Sequence, residues 1–228
     1  MHHHKALVLL IAAALVSLCA GRSNAAEVRS PAAVTGNTLG DFDTSTDIGQ
    51  TIDQSGLYTP FVSGVDDFDT YFASGSTHSL MFYENEWYAQ FGVSLGQITY
   101  DLGAEYSVSG LALWNEDAFG LASVAVSTSN DAGFGSSTLV GAFAPTDNAY
   151  AVDYLAEVVS LLPTDARYVR LDVVGASGEG TEGPWASMGE IAFRTDVPQG
   201  SAVPDGGGTA ILLGLTALGL FQIRRAKA

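Results

Sequence analysis

Between Tyr168 and Val174 the side chains alternate without a break. Val169, Leu171 and Val173 fall on one side; Tyr168, Arg170 and Asp172 fall on the other. A period of two is the signature of a strand with one face buried, and a helix cannot present it. The same reading applies to Ile98, Tyr100 and Leu102, a run ended by Gly103, and to Tyr106 through Trp114. It applies again to Val124, Val126 and Thr128, closed by Ser129-Asn130-Asp131, to Thr138 through Phe143, and to Ile191 and Phe193. Turn residues punctuate these runs about every ten positions, so the pattern specifies an all-β, antiparallel sandwich. The run Tyr154 to Leu162 fits either a strand or a short helix. No internal repeat is present.

Charge narrows the function. All 25 acidic residues of the 228 lie between Glu27 and Asp205, where the basic residues are Arg29, Arg167, Arg170 and Arg194. Such a surface repels nucleic acid and anionic headgroups; it suits divalent cations and neutral sugars. Its aromatic and β-branched content is too high for a disordered chain. The single cysteine, Cys19, lies near the N-terminus, so the body of the chain has no disulfide.

Both ends read as targeting segments. Lys5, the apolar run Ala6 to Leu18 and the small residues Ser23, Ala25 and Ala26 form the three regions of a secretory signal peptide, residues 1–26, cut after Ala25 or Ala26. Leu18 is too bulky for a lipoprotein site at Cys19, and His2–His4 are set aside. At the other end, Val203-Pro204-Asp205-Gly206-Gly207-Gly208 precedes an apolar span (209–223) and a basic end (224–228). A single pass from Gly206 to Ile223 is barely long enough for a bilayer, and the basic end stays cytoplasmic by charge. This three-part tail resembles the PEP-CTERM sorting signal in a VPD-type variant. Asp205-Gly206 stand where the commonest form has Glu-Pro. The resemblance implies an exosortase-type processing enzyme, secretion machinery, transient inner-membrane anchoring and delivery to the cell surface or extracellular matrix. The plain alternative is a simple C-terminal anchor.

About 175 residues remain, enough for one self-sufficient core. Residues 27–56 are Thr, Asp and Gly rich and read as a lead-in with one strand; 195–202 read as a linker. Ile98-Thr99-Tyr100-Asp101-Leu102-Gly103, Val108 to Asn115, Ala166 to Leu171 and Gly189-Glu190-Ile191-Ala192-Phe193 together resemble a discoidin, or F5/8 type C, domain over residues 57–194. The resemblance implies a galactose-binding-like jelly roll that binds sugars, lipids or proteins through loops at one end, with a structural calcium in many members.

Asp66-Asp67-Phe68-Asp69-Thr70 places three carboxylates and a hydroxyl in one short loop, and calcium takes six to eight oxygen ligands. In the resembled family an Asp-Gly-x-x-x-Thr loop meets a glutamate on the last strand. Asp66, Asp69, Thr70 and Glu190 match that set, with Asp67 in place of glycine and the spacing one residue short. The run Asp41 to Asp47 lacks the glycine and glutamate of an EF-hand and reads as a polar loop.

Sugar binding requires ring faces beside hydroxyl-bonding groups. Trp87, Tyr88, Trp185 and the Asn115-Glu116-Asp117 loop supply both residue types, the alternative for Trp87 and Trp114 being a place in the core. Enzyme signatures are sparse: His78 is the only histidine after the signal peptide, and no H-E-x-x-H occurs. The G-x-G-x-x-G at 178–183 runs into Pro184 and carries two glutamates, so it is no phosphate loop. Carboxylate pairs such as Glu84/Glu86 and Glu116/Asp117 are the one catalytic option, as in a glycosidase. The expectation is a non-catalytic surface module for exopolysaccharide or another glycan. The alternatives are a structural matrix or biofilm protein without a defined ligand and, less favoured, a glycan-active enzyme.

Overall fold

The computed structural model describes residues 25–80, 84–177 and 185–196. Residues 1–24 of the signal peptide, the 178–183 glycine pattern and the sorting motif Val203, Pro204, Asp205, Gly206 and Gly207 with its apolar span and basic end lie outside the described residues. No helix among the described residues is long and apolar enough to cross a membrane.

The fold is an antiparallel jelly-roll β-sandwich. Its strands are β1 (Glu27–Arg29), β2 (Ala33–Asn37), β3 (Thr77–His78), β4 (Trp87–Tyr88), β5 (Leu95–Asn115), β6 (Val124–Ser129), β7 (Thr138–Phe143), β8 (Tyr154–Leu155), β9 (Glu157–Val174) and β10 (Ser187–Asp196). One short helix, α1 (Phe68–Ala73), and a 3-10 turn (Ile48–Ile52) fill the connections. The strand order is β1-β10-β5-β9-β6-β7, with β2 added to β5 and β4 added to β10.

The long strands β5 and β9 serve both layers. Their register breaks between Asp101 and Tyr106, where Gly103 takes φ +85°. Arg167 of β9 closes the break with two 2.8 Å bonds to the Asp101 carboxylate. The two strand runs read separately on either side of Gly103 are therefore one bent strand. Before the bend Ile98, Tyr100 and Leu102 face the core; after it Val108, Leu111 and Leu113 do. Val169, Leu171 and Val173 of β9 and Ile191 and Phe193 of β10 complete that core, as their alternation requires. The Tyr154 to Leu162 run is strand: β8 and the start of β9.

The second half of β5 is buried on both faces. Its other side, Ala112 and Trp114, joins Ala192, Phe61, Phe68, Tyr71 and Tyr154 in a second cluster beneath α1. Residues 27–56 differ from the expected lead-in, because they are part of the sandwich. β1 pairs Glu27 with Thr195, and β2 pairs Val34 with Tyr100. The strands are short and polar, and their partners are distant in sequence, so no local period marks them.

Candidate functional site

One end of the sandwich gathers four aromatic rings. β10 begins there, β5 ends there, and β4 runs up to it. Trp185 sits at the centre, with ring centroids of Phe91, Phe42 and Phe119 at 4.8, 5.2 and 5.2 Å. Phe91 is 59% exposed and Phe42 41%, while Trp185 is buried beneath them and its indole Nε1 has no hydrogen-bond partner. A buried N–H without an acceptor is uncommon in a native fold. Here it lies under an exposed apolar ring surface.

Backbone bonds hold the platform. Phe42 N–H donates to Tyr88 O, Ala89 N–H to Ala186 O, Ala186 N–H to Val93 O and Ser187 N–H to Phe119 O. β4 therefore straps Phe42, Phe91 and the segment of Trp185 together.

Under the rings lies a buried polar cluster. Glu86, Glu116 and Asp117 are enclosed, with one carboxylate oxygen of each within 4.8 Å of the others'. Their oxygens face donors. Tyr154 Oη donates to Glu86 Oε1 at 2.5 Å, and Tyr88 Oη lies 2.9 Å from Glu86 Oε2 and 3.2 Å from Glu116 Oε1. Glu116 Oε2 accepts from the N–H groups of Ala118 (2.8 Å) and Phe119 (2.5 Å) and from Ser187 Oγ (2.7 Å). Asp117 accepts from the Ala151 N–H, and Ala151 holds φ +56° to deliver it. Burial, then the neighbouring Glu86 charge, pushes Glu116 up to about 8. Burial likewise holds the Tyr154 hydroxyl well above its ordinary range.

His78 flanks this cluster, its ring stacked on Tyr154 at 5.1 Å. It is wedged between two glycines: a Cβ at Gly56 would lie 2.0 Å from the ring, and one at Gly189 would lie 2.7 Å from Nε2. Burial drives its pKa down, so the ring is neutral, with Nδ1 2.9 Å from the Ser79 carbonyl.

The expected ligand-binding residues divide. Trp185 belongs to the ring platform. Trp87 and Tyr88 do not offer ring faces: both are buried, Trp87 in the main core with Nε1 donating to Asp41 Oδ1 at 2.9 Å. Glu116 is structural, as above. Asn115 is buried and holds its own loop, accepting from Leu121 N–H and donating to Thr146 O. It borders a separate cleft of about 290 Å³ beside Asn148 and Glu157. Phe42, Phe91 and Phe119 escaped the sequence reading. Their only sequence signal is that Phe91 and Phe119 each precede a glycine outside any alternating run. A hydroxyl-lined groove of about 370 Å³ lies at the far end of β6, between Thr128, Thr138 and Asp165.

The four expected calcium ligands are not gathered. Asp67 is the N-cap of α1, accepting from Thr70 N–H at 2.8 Å, and Asp69 forms an ion pair with Arg194 at 2.7 Å. The acidic run thus starts a helix, where carboxylates are favoured. Asp66 accepts from Val62 N–H at 2.7 Å, and Thr70 is exposed. Glu190 is the exception. It is buried, Oε2 accepts from Gln54 N–H at 2.8 Å, and Oε1 has no partner.

No protein-family model matches the chain, and no curated protein matches it. Solved structures do. Several of them are named for CBM32 domains. A truncated AlyQ with CBM32 and alginate lyase domains is 26% identical, over 48% of this chain and 26% of that one, with a TM-score of 0.37. The CBM32 of AlyQ in complex with 4,5-unsaturated mannuronic acid is 28% identical, over 47% and 75%, with a TM-score of 0.36. CBM32-3 from a family 31 glycoside hydrolase of Clostridium perfringens is 18% identical, over 63% and 94%, with a TM-score of 0.41.

Proposed function

We propose that the chain is a glycan-binding module of an exported surface protein, and that its binding face is the platform of Phe42, Phe91 and Phe119 over Trp185. The observation that carries the reading is the pairing of exposed rings with a buried, unpartnered indole N–H. Rings stack on the apolar faces of pyranoses, and a sugar hydroxyl supplies the acceptor that Trp185 Nε1 lacks. The acidic surroundings select neutral over anionic glycans. All four arginines of the domain are engaged, with Glu27, Asp101, Asp172 and Asp69, so no free cation stands ready for a uronate.

The platform lies at the start of β10, and the linker and sorting tail follow its end at Asp196. Ten strand residues span roughly 30 Å, so a chain held by its C-terminus presents the rings away from the anchor. Export, processing by an exosortase-type enzyme and surface display enter this proposal through the tail sequence.

Calcium enters at Glu190, whose buried, unpartnered Oε1 fits a cation; Asp69, spent on Arg194, does not. The ion would supply structural cross-linking between β10 and the 53–54 turn.

Affinity electrophoresis of the processed chain in gels carrying neutral or uronic-acid polysaccharides tests the binding face. Retardation by a neutral polysaccharide, reduced at least tenfold in affinity by Phe91→Ala, is the expected result. A base–aromatic stack of comparable size is worth about 1–3 kcal/mol. Uniform silence would favour the matrix role, and binding untouched by Phe91→Ala would move the site elsewhere.

A further inference from the structure

Tyr88 Oη lies within hydrogen-bond distance of two buried carboxyls at once, Glu86 Oε2 and Glu116 Oε1. A phenol carries one hydrogen and can donate to only one of them. Two carboxylates would make the second contact oxygen lone pair against oxygen lone pair in a buried site. The contact becomes a hydrogen bond if one carboxyl is protonated and donates to the phenol oxygen.

No cation of the domain is placed to take that proton's role. Between Glu27 and Asp205 the chain has no lysine. Arg29, Arg167, Arg170 and Arg194 each pair with a carboxylate outside this cluster. His78 stands 3.6 Å from Glu86 by Nδ1 but is neutral, and its Nδ1 faces the Ser79 carbonyl. Among the described residues, the other titratable groups facing the pair are Asp117 from the 115–121 loop and Tyr154 from β8, which add negative charge or donate without neutralising.

From this geometry we infer that Glu86 and Glu116 share one proton across Tyr88, and that this proton locks β4 and with it the ring platform. The consequence runs through the backbone. Tyr88 O holds the Phe42 amide, and Ala89 N–H holds Ala186, next to Trp185. Loss of the proton places two like charges on either side of one phenol, which can satisfy only one of them, and β4 separates from β10 more readily. The platform is therefore closed at neutral and acid pH and loosens in alkali. The rise of Glu116 to about 8 agrees with this.

The test is a pH titration of the full chain by carbon NMR at the glutamate side-chain carboxyls, run with chelator, alongside amide exchange of Phe42 and Ala89. The expected result is that the pair gives up its last proton between about pH 7 and 9, with at least a tenfold loss of amide protection at both positions beyond the intrinsic base-catalysed rise. In Glu86→Gln the amide side chain donates permanently to Tyr88, so that extra loss disappears. The wild-type titration decides even if the variant does not fold. Both carboxyls titrating in the ordinary carboxylate range would overturn the inference. So would an alkaline titration that moves neither amide, or one seen only after chelator strips a bound divalent cation. This inference stands apart from glycan binding, since neither readout requires a sugar.

Discussion

Trp87→Ala is expected to remove about 3–5 kcal/mol of stability, the range for truncating a large buried aromatic. In a domain of this size that lowers the melting temperature by roughly 6–20 °C. Trp87 is fully buried among the core residues between the layers, and its indole also ties down the Gly40 and Asp41 backbone turn beside the ring platform. Truncation opens a cavity that rigid neighbouring strands cannot fill, and it leaves Asp41 Oδ1 with two donors, Asn37 Nδ2 and the Ile48 N–H, in place of three. Phe91→Ala is the control: an exposed ring outside any strand costs within about 0.5 kcal/mol. A calorimetric scan of both variants separates the two tryptophan-rich readings of this region. If Trp87→Ala melts like wild type while Phe91→Ala collapses, the assignment of core and face is reversed.

Glu190 should make the protein less stable as pH rises. Burial holds its carboxyl well above the ordinary value of 4.5, with Asp53 adding to the rise. The folded state therefore keeps a proton that the unfolded chain releases. The stability tied to that proton is fully present below pH 4.5 and is lost as pH climbs through the folded value, up to about tenfold in the folding equilibrium per pH unit. Asp101 acts in the opposite sense: the Arg167 hydrogen bond holds its carboxyl low, so its contribution is lost as pH falls. The two place the optimum on the acid side of neutral. In chelator, Glu190→Gln keeps the Gln54 bond, removes the titration and should raise the melting temperature at pH 8 while changing little at pH 5. Millimolar calcium should then stabilise wild type at pH 8, since it binds only the folded form, and leave Glu190→Gln unmoved. Equal calcium shifts in both proteins would place no ion at Glu190.

The sheet was legible wherever one face meets water. Val169, Leu171 and Val173 alternate with half-exposed partners in β9, and their burial follows directly. Leu111 to Asn115 was readable as strand but not as a doubly buried one, because the cover on its outer face comes from Phe61, Phe68 and Tyr71, far away in sequence. β1 and β2 gave no local signal, since their pairing with β10 and β5 is fixed by distant partners. The site shows the same division. Trp185 stood out beside Gly183-Pro184, whereas Phe42, Phe91 and Phe119 are single rings on three separate turns that only the folded topology unites. Glu116 and Tyr88 have the chemistry of a sugar site, yet the structure uses them beneath the ring platform as scaffolding. A residue's type cannot report which side of a loop it occupies.

The most direct measurement is an amide NMR titration of the processed chain with a neutral oligosaccharide. Shifts should concentrate at residues 41–42, 90–92, 118–120 and 185–187 and include the Trp185 indole N–H, which gains an acceptor. Shifts confined to the hydroxyl-lined groove around Thr128 and Asp165, or a saturating ligand that leaves the Trp185 indole unmoved, would contradict a glycan face built on the four rings.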